Sequence, residues 1–113
     1  KKYKRLFAKQ PEKNILVGTG GNIKSLNRLS SLLLKNSSDE EFTLVEAEIL
    51  ERIISGYTVT ERIQKLKLKE DRADVILPAA IIVTEVMNLL GFQKLKAPNV
   101  GLKDGILIQL AQF

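Results

Sequence analysis

The stretch Ile15-Leu16-Val17-Gly18-Thr19-Gly20-Gly21-Asn22-Ile23-Lys24-Ser25-Leu26 decides how the chain folds. Ile15-Leu16-Val17 is an apolar run of strand length that empties into glycines. Beyond them Ile23, Leu26, Leu29, Leu32 and Leu33 recur at helical spacing, so a helix follows with those five on its inner face. A strand that hands glycines to a helix N-terminus gathers backbone N–H groups and the positive end of the helix dipole at one point. Anions and nucleotides bind at such points. Gly18, Thr19, Gly20, Gly21 and Asn22 are therefore the candidate phosphate- or nucleotide-binding residues. The competing reading is a tight turn that lets strand and helix pack closely. Two familiar templates fail. The dinucleotide fingerprint needs a third glycine where Ile23 stands. The P-loop spacing is met by Gly18 and Ile23-Lys24-Ser25, but Ile23 replaces the second glycine and belongs to the core face of the helix.

Outward from this stretch the pattern is mostly helical. Lys1 to Gln10 reads as an amphipathic turn or two, with Tyr3, Leu6 and Phe7 on one face, stopped at Pro11. Asn36-Ser37-Ser38-Asp39 closes the helix after the glycines. Two capping boxes come next: Thr43-Leu44-Val45-Glu46 opens a helix to about Ser55, and Thr58-Val59-Thr60-Glu61 opens another to about Leu66. With Gly56-Tyr57 between them they predict an αα-hairpin. Asp71-Arg72-Ala73-Asp74 begins the most apolar segment, which runs to Leu90 and stops at Gly91. Pro78 lies inside it and predicts a kink or a helix restart, because proline lacks the N–H and clashes with the Asp74 carbonyl. Phe92 to Ala97 reads as a strand ended by Pro98. Asn99 then caps a last helix from Leu102 to Leu110, with Leu102, Ile106, Leu107 and Leu110 inward. The fold class is α/β with few strands for its length.

A chain of 113 residues holds one domain, and its 44% hydrophobic and 27% charged content fits a folded core and excludes disorder. Cysteine and histidine are absent. Disulfides, thiolate chemistry, Cys/His zinc sites and imidazole triads are thereby excluded. The net charge of +5 is carried by residues 1–13, where Lys1, Lys2, Lys4, Arg5, Lys9 and Lys13 face Glu12 alone; the rest of the chain is balanced. That terminus is either a solvated face or a local surface for a polyanion. Two tyrosines and four phenylalanines leave little to stack on bases, which argues against nucleic acid as a partner. The uncharged run Val75 to Thr84 is too short to cross a membrane. Asp71 and Asp74 could serve as paired carboxylates or as dipole partners at a helix start. Lys65, Lys67, Lys69 and Arg72 read as solvated surface.

Three blocks together resemble the exopolyphosphatase and guanosine pentaphosphate phosphohydrolase family. They are Ile15 to Leu26; Asp71-Arg72-Ala73-Asp74-Val75-Ile76-Leu77-Pro78-Ala79, which is similar to an Arg-Ala-Asp-hydrophobic-Pro segment; and Asn99 to Leu107, which is similar to a Gly-Leu-Arg-Glu-Gly ending. Lys103-Asp104 replaces Arg-Glu, and Ala79 stands where glycine is common. The resemblance implies an actin-like parent of two ribonuclease-H-like halves, with residues 1–113 a single partial domain from the latter part of the second half. It places Gly18–Asn22 at the adenosine loop, facing substrate, and Asp71–Gly91 at the interdomain connecting helix, with Arg72, Asp74 and Pro78 structural. The family's Asp-Ile-Gly-Ser-Asn-Ser and Gly-Gly-Gly-Ser-Thr-Glu loops have no counterpart, and its catalytic glutamate belongs to the missing first half.

The expectation is thus a cytoplasmic phosphohydrolase fragment acting on inorganic polyphosphate or guanosine pentaphosphate. Mg2+ is the parent's cofactor, the fragment holds no catalytic or metal-binding residue, and it is inactive alone. Its expected partners are the remainder of the parent chain and, through exposed strand edges, another copy of itself. The alternative is a non-catalytic polyanion- or nucleotide-binding module.

Overall fold

The computed structural model describes residues 14–98 and 105–110. β1 (Asn14–Thr19) leads into α1 (Gly21–Leu34). A short β2 (Glu41–Thr43) precedes α2 (Leu44–Ser55) and α3 (Val59–Lys65). One turn of helix, α4 (Glu70–Ala73), and the long α5 (Ile76–Leu90) follow. β3 (Lys94–Lys96) and β4 (Gly105–Leu110) complete the chain. The sheet order is β2-β3-β1-β4. β1 runs parallel to β3, with Val17 opposite Lys96, and antiparallel to β4, from Asn14 opposite Leu110 to Thr19 opposite Gly105.

Alternation along the strands turns one sheet face toward the helices. Leu16, Phe42 and Leu95 are fully buried, while Ile15, Lys94 and Lys96 point the other way. Leu26, Leu29, Leu50, Ile54, Ile76, Val83 and Met87 close the core from the helical side.

Both capping boxes form. Thr43 Oγ1 accepts from the Glu46 N–H at 3.1 Å, and Glu46 Oε1 accepts from the Thr43 N–H at 2.8 Å. Thr58 and Glu61 repeat the arrangement. The apolar segment restarts rather than bends. α4 ends at Ala73, Asp74 and Val75 are not helical, and Pro78 falls in the first turn of α5, where a missing N–H costs nothing.

Three expectations change. The segment ending at Leu110 is a strand, not the helix read over Leu102 to Leu110. Ile106, Leu107 and Leu110 lie in β4, where Gly105-Ile106-Leu107-Ile108 suits a strand and β1 has an edge to be filled. Leu32 and Leu33 are 59% and 38% exposed and do not join the inner face, which Asn27 and Ser30 share instead. β2, absent from the sequence reading, is held by pairing with β3. The amphipathic Lys1 to Gln10, the Asn99 cap and Leu102 lie outside the described residues.

Glu41 on β2 bridges two strands. It accepts from Lys96 Nζ at 2.8 Å and sits 3.8 Å from Lys94 Nζ. The Lys96 hydrogen bond, then the charges of Lys96 and Lys94, outweigh partial burial and hold its pKa below the ordinary glutamate value. A pKa lowered by folding stabilises the folded chain above the unfolded value and loses that contribution as pH falls through the folded value. Urea titrations are expected to show stability declining on the acid side of the ordinary glutamate pKa. Glu41→Gln should remove about 0.5 kcal/mol of that slope, as fits a partly exposed pair.

Candidate functional site

The five glycine-turn residues divide by role. Gly18 and Thr19 belong to β1 itself, and the turn is one residue long. A Cβ on Gly18 would stand 3.0 Å from both Ile23 Cδ1 and Leu95 Cδ2, so this glycine serves close packing of strand against helix. Gly20 is the N-cap of α1 with φ 100° and ψ 178°, a conformation essentially reserved for glycine. Gly21 and Asn22 open the helix. Ile23, at the position of a P-loop's second glycine, is a core side chain only 4% exposed.

Arg72 reaches this turn across fifty residues of sequence. Its Nη1 donates to Asn22 Oδ1 at 2.8 Å. The guanidinium covers Gly21 so closely that a Cβ there would overlap it. Arg72 can do this because α4 stops at Ala73, whose side chain is fully buried and whose carbonyl accepts from Arg62 Nη1 at 3.0 Å. The break before α5 thus fixes the arginine against the glycine turn. The Arg72 side chain that packs on the turn also borders a pocket.

That pocket, of about 220 Å³, is lined by Gly21, Ser25, Arg28, Lys67, Leu68, Lys69 and Arg72. Four cations line it and no carboxylate does. The run read as solvated surface is therefore split. Lys65 turns away to Glu61 Oε2 at 3.5 Å and lies 5.7 Å over the Tyr57 ring, whereas Lys67, Lys69 and Arg72 converge with Arg28. Arg28 was missed by the sequence reading. The signal that could have found it is the spacing Gly21, Ser25, Arg28, which puts all three on one helical face.

The electrostatics of this helix end contrast with those of α2 and α3. Each of those begins with a threonine cap and a glutamate in its first turn. α1 begins with glycine, has no side-chain cap hydrogen bond, and has no acid in its first turn. Its dipole and N–H groups face a cationic neighbourhood, an arrangement that an anion completes.

A second cleft, of about 360 Å³, opens on the other side of Asn22, between Thr19 and the α5 side chains Ala79, Ile82 and Val86. It is almost wholly apolar. Asp71 in α4 and Asp74 at its C-cap are both exposed, and neither lines the basic pocket. Among the described residues no three acidic side chains cluster as metal ligands would. No helix among them is long and apolar enough to cross a membrane.

Comparison with known proteins gives one consistent answer. The profile of the Ppx/GppA phosphatase family matches residues 1–112. Among solved structures, the chain is similar to the Aquifex aeolicus member of the Ppx/GppA family, with a TM-score of 0.68 at 19% identity. The match covers 90% of this chain and 37% of that one, so the present chain spans little more than a third of that relative. No curated protein matches.

Proposed function

The chain belongs to the Ppx/GppA phosphatase family, and from that premise we propose that it forms one wall of a phosphohydrolase site that releases terminal phosphate from inorganic polyphosphate or guanosine pentaphosphate. The observation that carries the reading is the start of α1, where glycine and Arg72 stand in place of the cap and acid found on α2 and α3. On this reading Gly20 shapes the turn, while Gly21 and Asn22 present the helix end. Arg72 neutralises phosphate charge there, and Lys67, Lys69 and Arg28 line the same pocket beside it.

Water activation falls to a carboxylate outside this chain, in the actin-like half it lacks. By itself the chain hydrolyses nothing. The Mg2+ that the family implies does not fit the described residues, since no carboxylate lines the basic pocket and no three acidic side chains cluster among them. It belongs with the remainder of the parent chain, in a cytoplasmic protein. The same lack of an acid at the pocket favours, as a second reading, a module that binds polyanions without catalysis; another copy of the chain would be its partner through the strand edges.

Calorimetric titration with diphosphate tests the shared step. Binding is expected, weakening as salt screens the cations, and Arg72→Gln should weaken it about tenfold, the loss of one charge-assisted contact. Failure of diphosphate to bind, or indifference to Arg72→Gln, would overturn the assignment.

A further inference from the structure

The basic pocket extends well past the glycine turn. Gly21, Ser25 and Arg28 share one face of α1, and a rise of about 1.5 Å per residue sets Arg28 roughly 10 Å along the axis from Gly21. Lys67 and Lys69 come from the connection between α3 and α4, which lies against that flank.

This connection is held rigidly. Leu66 and Leu68 are 2% and 4% exposed, with the two lysines alternating outward between and beyond them. Arg28 Nη2 donates to the Leu66 carbonyl at 3.1 Å, and the Leu68 N–H donates to the Arg62 carbonyl at 3.3 Å. Lys67 takes φ 58°, turning the chain between the two buried leucines. Neither lysine is ion-paired among the described residues, and Glu70 and Asp71 do not line the pocket. Two cationic ends result: Arg72 at the glycine turn, and Arg28 with Lys67 and Lys69 further down the helix.

Resting on the phosphate-binding reading above, we infer that Arg28, Lys67 and Lys69 form a distal subsite for the third and later phosphate groups of a chain, so that this wall selects ligands by the number of linked phosphates. Orthophosphate and diphosphate occupy the Arg72 end alone. A linear polyphosphate of three or more units engages both ends and gains affinity from the distal cations.

The test is an affinity series for orthophosphate, diphosphate, tripolyphosphate and tetrapolyphosphate at one fixed salt concentration. It is run on the wild-type chain, on Lys67→Asn/Lys69→Gln, and on Lys65→Gln/Lys94→Gln. Asparagine tolerates the positive φ at position 67. The last variant removes the same charge away from the pocket. In the wild type the step from diphosphate to tripolyphosphate should be about tenfold. It should shrink to about twofold in Lys67→Asn/Lys69→Gln and persist in Lys65→Gln/Lys94→Gln, each variant first shown by urea titration to fold.

An undiminished step in Lys67→Asn/Lys69→Gln, or an equal loss in both variants, overturns the distal subsite. If diphosphate binding still depends on Arg72 in that event, the functional reading stands without it. Absence of binding by every phosphate overturns both.

Discussion

Arg62→Met is expected to lower the unfolding free energy by about 3 kcal/mol in urea titration, the largest stability effect expected of a polar substitution among the described residues. Arg62 is only 8% exposed, and its guanidinium serves two helix ends at once. Nε donates to the Ile54 carbonyl at 3.2 Å near the end of α2, and Nη1 to the Ala73 carbonyl at 3.0 Å at the end of α4. A cation at helix C-termini complements the negative ends of two dipoles. Methionine preserves most of the stem packing but removes both charged donors; the Ile54 carbonyl keeps the Tyr57 N–H at 3.1 Å, so the cost is the loss of two charge-assisted bonds, about 1.5 kcal/mol each. Arg62→Lys should cost less than methionine yet more than a surface change, since an ammonium keeps the charge but not the planar fork that spans two carbonyls. Equal stability of wild type and Arg62→Met would mean that water replaces the guanidinium at no cost, and that the buried position is incidental. A second consequence follows from Ala73. Its carbonyl anchors the residue next to Arg72, so Arg62→Met should also weaken diphosphate binding even under conditions where the chain remains folded.

The parts of the fold legible in sequence are those whose cause is local. The β1–turn–α1 passage is one, because an apolar run, glycines and a helical repeat follow without interruption from Ile15 to Leu29. The capping boxes at Thr43 and Thr58 are another, since a hydroxyl and a glutamate three residues on satisfy each other wherever the helix packs. Pro78 marked the restart of α5 for the same reason. β4 was misread because Leu102, Ile106, Leu107 and Leu110 satisfy a helical spacing. The vacant edge of β1, which decides the matter, lies some ninety residues back in the chain. Leu32 and Leu33 keep the helical period but turn outward, while Ser30 and Leu34 on either side of them take the covered side, and periodicity carries no information about which side of a helix its neighbours cover.

The candidate site divides the same way. The glycines announced themselves as a run. The cations did not, because the pocket unites Arg28 with residues of the Lys67–Arg72 segment about forty positions away, and one strand of sequence shows only that lysines and acids alternate there. The assignment of those lysines to solvated surface was a statement about charge balance along the chain. The structure rearranges the balance in space: Glu61 is drawn off by Lys65, and Glu70 and Asp71 sit at the start of α4. The charged side chains of that segment that line the pocket against Gly21, Ser25 and Arg28 are all positive.

Gly21→Ala is expected to leave stability within about 1 kcal/mol of wild type while weakening diphosphate binding about tenfold. The two effects separate because Gly21 is not demanded by the backbone. Among the described residues only Gly20 and Gly91 are glycines with positive φ, and position 21 is helical, where alanine is intrinsically the better residue. The glycine is there for what covers it. A Cβ would lie 2.7 Å from Arg72 Cζ, and the guanidinium, being the far end of a flexible side chain, would swing aside. With it go the 2.8 Å bond to Asn22 Oδ1 and the cation nearest the helix start. If that is the route, Gly21→Ala and Arg72→Gln act on one interaction, and the double variant should bind diphosphate no worse than either single one. Such non-additivity identifies residues that work as a unit. A hundredfold loss in the double variant, the product of two independent tenfold losses, would show instead that the alanine methyl blocks the approach of phosphate to the helix end directly. Arg72 would then be one of several cations and not the residue that Gly21 exists to admit.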